Sequence, residues 1–259
     1  MTPRQRLWLF LVGAAGLVAC YLWAFAGLPG FGNYHGPYGQ AILRQAVEQT
    51  HATGVVSAVN FEYRGLDTVG EEYILFTAAA GMSVVLRLLR GERERPPLDE
   101  PSGRERPPTS SAVRVAGLLL VGPTAVIGWW LASHAQTSPS GGFQGGVVLA
   151  SAFVLIYLSG EFLAFRRFSP VALLDAVEAL GAGGFAAIGV TAVVLGMPYL
   201  QNFLPLGQIP GAVSSSGTIA LISFFVGLEV AAAFVLIVGE LLEQTLLVRQ
   251  GSQRSQRSG

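Results

Sequence analysis

Glu229 has the most unusual setting of any ionisable residue in this sequence, standing in the middle of the apolar run Gly217 to Gly239 with no Arg within two helical turns. A charge at bilayer depth costs at least about 2.5 to 3.5 kcal/mol, so an acid is kept there only with a partner or a task. Two readings fit: a carboxylate on a proton or cation path between subunits, or a neutral acid hydrogen-bonded inside a helix interface. At about 100° per residue, Glu240 and Glu243 fall within about 40° of Glu229. Ala233 and Leu236 lie between them, so the three acids form one stripe, either half of an ion path or one deep acid above two headgroup acids.

Asp175 and Glu178 are three apart and share a helix face, while Glu161 has Arg166 and Arg167 just beyond it as an ion-pair partner. The string Tyr63-Arg64-Gly65-Leu66-Asp67-Thr68-Val69-Gly70-Glu71-Glu72 sits where a polar loop enters an apolar run. Thr68 and Glu71 have the spacing of a capping box, a Ser or Thr whose partner Glu three residues on completes the helix start. Arg64 and Asp67 are placed to pair. The alternative is an acid cluster at a cation entrance, with Asp67, Glu71 and the adjacent Glu72 as members. The candidates for an ion path are thus Glu229, Glu240, Glu243, Asp175, Glu178, Glu161, Asp67 and Glu71, and no catalytic residue is assigned.

Other chemistries find little support. The histidines, at 35, 51 and 134, lie outside the apolar runs, and neither His35 nor His51 has a second ligand at helical spacing. The single cysteine, Cys20, excludes a disulfide framework and a cysteine cluster. The segment Pro139-Ser140-Gly141-Gly142-Phe143-Gln144-Gly145-Gly146 cannot be a phosphate loop, because the chain contains no Lys. In a bilayer, small residues at helical spacing let another helix approach closely, so Gly141, Gly142, Gly145 and Gly146 predict one packing face, and Gly181, Gly183 and Gly184 a second.

The elements that must hold these residues follow from composition. Of 259 residues 51% are apolar and 12% charged, with a mean hydropathy of +0.52. Soluble domains carry about 25% charged residues, so this composition belongs to a bilayer, and the net charge of zero gives no basis for nucleic-acid binding. A span needs roughly 20 apolar residues. Six runs qualify: about Leu7 to Ala26, Thr68 to Leu89, Val113 to Ser133, Phe143 to Phe165, Val171 to Gly196 and Gly217 to Gly239. The fold class is all-α integral membrane, six transmembrane helices grouped two and four. Every basic residue is Arg; with the N-terminus inside, only Arg44 and Arg64 of the 16 fall in outer segments, which predicts both termini cytoplasmic. The first run imitates a signal peptide, but its length and the Trp8 and Trp23 anchors make it a retained span.

Residues 91–112 are a charged, proline-rich cytoplasmic linker between a two-helix module, 1–90, and a four-helix module, 113–249; residues 250–259 are expected to be a disordered tail. Within the outer loop Gly27 to Asp67, Ile42, Leu43, Ala46 and Val47 predict a short amphipathic helix.

Three strings, YRGLDTVGEE, PSGGFQGGVVLASAFVLIYL and NFLPLGQIPGAVSSSGTIALISFFVGLEVAAAF, resemble the Mrp-type (multiple resistance and pH) sodium/proton antiporter family. The 113–249 module looks like its B subunit, and the 1–90 module like the E-type subunit of the related membrane-bound hydrogenase, which in many Mrp systems is fused to the end of the large A-type subunit. Where the family has Pro-Gly-Gly-Gly-Phe, this chain has Ser140 as the second residue, and His134 lies further upstream than the family's histidine. The resemblance implies an accessory, multi-pass subunit of an inner-membrane complex. Its partners would be large complex I-like antiporter subunits, its ions sodium and protons, and it would carry no cofactor of its own. A membrane-arm subunit of a hydrogenase-like or complex I-like redox pump is the alternative, and a pure scaffold the third reading.

Overall fold

The computed structural model describes residues 3–28, 36–91, 110–137 and 140–257, and among them there are helices and turns but no strand. The helices are α1 (Pro3–Ala26), α2 (Pro37–Thr50), α3 (Val55–Ala58, followed by one π-helical turn Val59–Tyr63), α4 (Gly65–Gly91), α5 (Ser111–Ser133), α6 (Gly142–Phe168), α7 (Val171–Val194) and α8 (Thr218–Arg257). Helices are what long apolar runs must form in lipid, where each peptide group has to be bonded within its own segment. Ser110 caps α5 by accepting the Val113 amide at 3.3 Å. Pro123 lies inside α5, a position that membrane helices tolerate.

Parts of α4 to α8 are long and apolar enough to cross a membrane, five helices among the described residues, whereas the apolar part of α1, Phe10–Ala26, is shorter. Five of the six expected spans are therefore candidates by length and composition among the described residues, and α1 is the sixth. The amphipathic helix expected in the outer loop is α2, which buries Ala46 and Thr50. The tail expected to be disordered is helical as far as Arg257, because nothing after Gly239 interrupts α8: no proline occurs there and the Gln and Arg residues are helix-compatible. The linker, apart from its ends, lies outside the described residues.

Compactness divides the chain elsewhere than at that linker. Met1–Ala41 is one compact unit and Ile42–Gly259 another. In the first, Tyr21 and Phe25 stack along α1, and Trp8 and Trp23 are exposed. In the second, α8 is the central helix, packed against α4, α5, α6 and α7, so the helix from the expected two-helix module joins the four-helix one. The core around it includes Phe61, Phe185, Ile188, Ile219, Ile222, Val226 and Val230.

Close approach explains the glycines. A Cβ on Gly145 would stand 2.4 Å from the Ala132 amide nitrogen of α5, and one on Gly146 would stand 2.8 Å from the Gly227 carbonyl of α8. Gly142 faces Ser223 and Val226, and Gly184 faces the Phe225 ring. These predicted packing faces are therefore occupied by the chain's own helices. Gly183 departs from the expectation, with nothing within 4 Å, and Gly141 meets only the Gln144 side chain.

Candidate functional site: buried acids around the central helix

Glu229 is fully buried on α8, and neither of its carboxyl oxygens has a hydrogen-bond partner. It reaches this position because α7 offers it a glycine: a Cβ on Gly181 would lie 2.6 Å from both the Glu229 Cβ and its amide nitrogen. Glu178, one turn from Gly181, is 5% exposed, and from α4 comes Glu72, 2% exposed with Oε2 unpartnered. Both Glu72 and Glu178 lie within electrostatic range of Glu229. Three helices thus bring three acids together, one of which, Glu72, the sequence marked only as a neighbour of Glu71. The available signal was the spacing of Thr68, Glu72, Ala79 and Ser83, which share the buried face of α4.

The start of α4 decides which acid turns inward. The π turn places the helix start at Gly65, so Thr68 already lies in the first turn and is not its cap. Its hydroxyl donates to the Asn60 carbonyl at 2.7 Å, supplying a partner within the π turn. The capping-box expectation fails for this reason. Asp67 forms an exposed ion pair with Arg64, Glu71 is exposed, and Glu72 points into the core.

At the other end of α8, Glu240 and Glu243 are 2% and 6% exposed and so share the inward face with Glu229. Glu243 pairs with Arg166 at 3.5 Å, the arginine that the sequence assigned to Glu161. The Glu161 side chain lies outside the described residues. Ala233 and Leu236, both buried, fill the stripe between Glu229 and Glu240, which makes that interval apolar. Asp175, on the same helix as Glu178, is half-buried.

Loops tie these helices together at one end of the bundle. Asn202 donates to the Ser216 carbonyl at 2.8 Å and accepts from the amides of Leu204 (3.2 Å) and Thr218 (3.0 Å). It also bonds Glu62 in the π turn, whose carboxyl burial nevertheless pushes above the ordinary carboxylate range. The Gln136 side-chain amide donates to the carbonyls of Ala212 and Val213, and its backbone carbonyl accepts from the Gly54 amide and the Thr53 hydroxyl. His51 contacts the Gly207 carbonyl through Nδ1, and His134 stacks on Trp130, so both serve structure; His35 lies outside the described residues. Among the described residues, no three His, Cys, Asp or Glu side chains are grouped so as to hold a metal ion.

Residues 112–236 match a family described as a domain related to the MnhB subunit of Na+/H+ antiporters. The chain is 30% identical over 200 residues to an uncharacterized protein of Methanocaldococcus jannaschii, covering 68% of this chain and 72% of that one. It is 25% identical over 239 residues to a probable K(+)/H(+) antiporter A/B subunit of Rhizobium meliloti, covering 83% of this chain and 23% of the relative. Among solved structures, a chain of the membrane-bound sulfane sulfur reductase, an archaeal respiratory membrane complex, superposes with a TM-score of 0.72 at 26% identity, covering 90% of this chain and 97% of that one. A chain of the Mrp complex from a Dietzia species shares the fold, with a TM-score of 0.67 at 23% identity, 93% of this chain and 26% of the other being covered. The chain therefore spans about a quarter of the two longer proteins.

Proposed function

Because the chain belongs to the Mrp-type family of MnhB-related antiporter subunits, we propose that it is an accessory subunit of a multi-subunit monovalent cation/proton antiporter in the inner cell membrane. It is a multi-pass membrane protein, and its contribution would be to assembly and to an ion path beside large complex I-like subunits. The exchanged ions would be sodium and protons. The observation that carries a role in ion movement, beyond scaffolding, is Glu229, enclosed at the centre of the bundle with no basic partner among the described residues. We keep six spans, with both termini and the linker cytoplasmic, as part of this proposal, since the Arg distribution orients the chain that way. Nothing in this role requires the chain to be an enzyme.

A second reading has its own support. The sulfane sulfur reductase chain is matched over 97% of its length, so a redox-driven complex offers a place for a subunit of this whole size. Any redox chemistry would then belong to other subunits, since the chain has one cysteine, Cys20, and no cluster of them. Isolation of the native complex separates the readings: antiporter subunits without redox partners support the first, and nickel-iron or iron-sulfur subunits support the second.

A further inference from the structure

The acids at the centre of the bundle pose a charge problem, since like-signed groups from three helices meet there with solvation lost. On α4 the facing titratable group is Glu72, with Arg87 and Arg90 at least 15 residues away, about 22 Å along the helix. The α7 helix presents Glu178, with Asp175 one turn earlier, and contains no basic residue. On α8 the next ionisable groups are Glu240 and Glu243, three turns or more from Glu229, and Arg249 lies beyond them. The α5 helix has Arg114 alone, near its first turn, and α6 has no titratable group before Tyr157, followed by Glu161, Arg166 and Arg167. Arg166 is taken by Glu243. The π turn adds Glu62 and Tyr63, an acid and a phenol.

Ionising Glu229 beside Glu72 and Glu178 in this enclosure would place like charges close together where solvation is lost, and such groups neutralise instead. The Glu229 oxygens supply an independent sign of a missing ligand, since both lack a partner while the residue is completely buried. A metal ion does not answer the need, because the acids are not grouped in a metal-holding arrangement among the described residues. Neutral carboxyl groups do answer it, because protonation removes the charge that burial and the neighbouring acids penalise.

We propose that Glu229, Glu72 and Glu178 form a proton-storage site held jointly by α8, α4 and α7, with Glu229 as the member common to both neighbours. Loading moves one proton from a hydronium ion to a carboxylate oxygen: an O–H bond of the hydronium breaks, one forms on the carboxyl, its negative charge is lost and water is released; unloading reverses this. The apolar interval of Ala233 and Leu236 separates the store from Glu240 and Glu243, which keeps it from draining along the α8 face toward that end. Its use in transport rests on the antiport reading, but its existence does not.

Infrared spectroscopy of the full chain in lipid nanodiscs tests this, because the carbonyl stretch of a protonated carboxylic acid is distinct from carboxylate bands. At neutral pH the chain should show a carboxylic-acid band that Glu229→Gln diminishes. Glu72→Gln and Glu178→Gln should each move the pH at which the remaining band is lost, whereas Glu48→Gln, on the exposed face of α2, should leave it unchanged. Glu229→Asp retains an acid if Glu229→Gln fails to insert, and should shift the band without abolishing it. Absence of the band, insensitivity to all three positions, or its loss on adding sodium at constant pH would overturn the proposal. A normal band in a chain whose intact complex exchanges no cations for protons would overturn the antiport reading and leave the site standing. An active complex without the band would do the opposite.

Discussion

At the scale of single residues, burial separates acids that the sequence presents as alike. Asp67 and Glu71 are exposed, whereas Glu72, Glu178 and Glu229 are enclosed. Glu229→Gln keeps the shape and hydrogen-bonding capacity of the side chain but removes its ability to exchange a proton. Assembly should survive and cation-dependent proton flux in vesicles should fall; normal flux in an intact complex would leave Glu229 a neutral structural acid. Glu62 gives a prediction outside the spans. Burial raises its folded pKa above the usual 4.5, so the folded state binds the proton more tightly than the unfolded one. That contribution to stability is complete below pH of about 4.5 and is lost as pH rises through the folded value. Hydrogen exchange in the loop 198–217 should therefore speed up over that window, and Glu62→Gln should flatten the dependence. Asn202→Ala should loosen the same loop, leaving the Thr218 amide and the Ser216 carbonyl without their partner at about 1 to 3 kcal/mol per buried group.

At the scale of elements, the helices meet by close backbone approach, supplemented by polar contacts such as the Arg166–Glu243 pair and the Ser223 hydroxyl donating to the Ala132 carbonyl. Lipid supplies no hydrophobic drive between helices, so small residues that permit contact decide which faces meet. Gly145→Leu would force α5 and α6 apart, and Gly181→Leu would drive a side chain into the α8 backbone beside Glu229. Each should lower the chain's own stability, by about 1 to 3 kcal/mol or more where the backbone cannot shift. Thermal unfolding in detergent reads this directly. Loss of partner subunits with unchanged unfolding of the chain would instead return these glycines to an interface between subunits.

At the largest scale, Ile42–Gly259 is a helical bundle organised around α8, with the loops at one end fastened by Asn202 and Gln136. Topology is tested at this scale. On a Cys20→Ser background, single cysteines at Ser102 and Ser214 should label from opposite sides of oriented vesicles, as the Arg distribution requires. Labelling of both from one side would overturn the orientation and, with it, the assignment of α8's Glu240 end to the cytoplasm.

Long apolar runs with few charges determined by themselves that the chain is helical and membrane-bound, because lipid leaves an unpaired backbone no alternative. The 3.6-residue period likewise placed Glu229, Glu240 and Glu243 on one face, and all three are buried. That period says nothing about which helices a face meets. The neighbours of Glu229 came from Gly181 and from the packing of α4, which a proline-rich linker made look like part of another module. Glu72 was hidden for a local reason, since its orientation depends on a π turn that rotates the start of α4. Arg166 was matched to a nearby acid in sequence, and the structure pairs it with Glu243 on a different helix. Contacts within a helix follow from spacing along the chain; contacts between helices depend on which backbones can approach, and that only the tertiary structure decided.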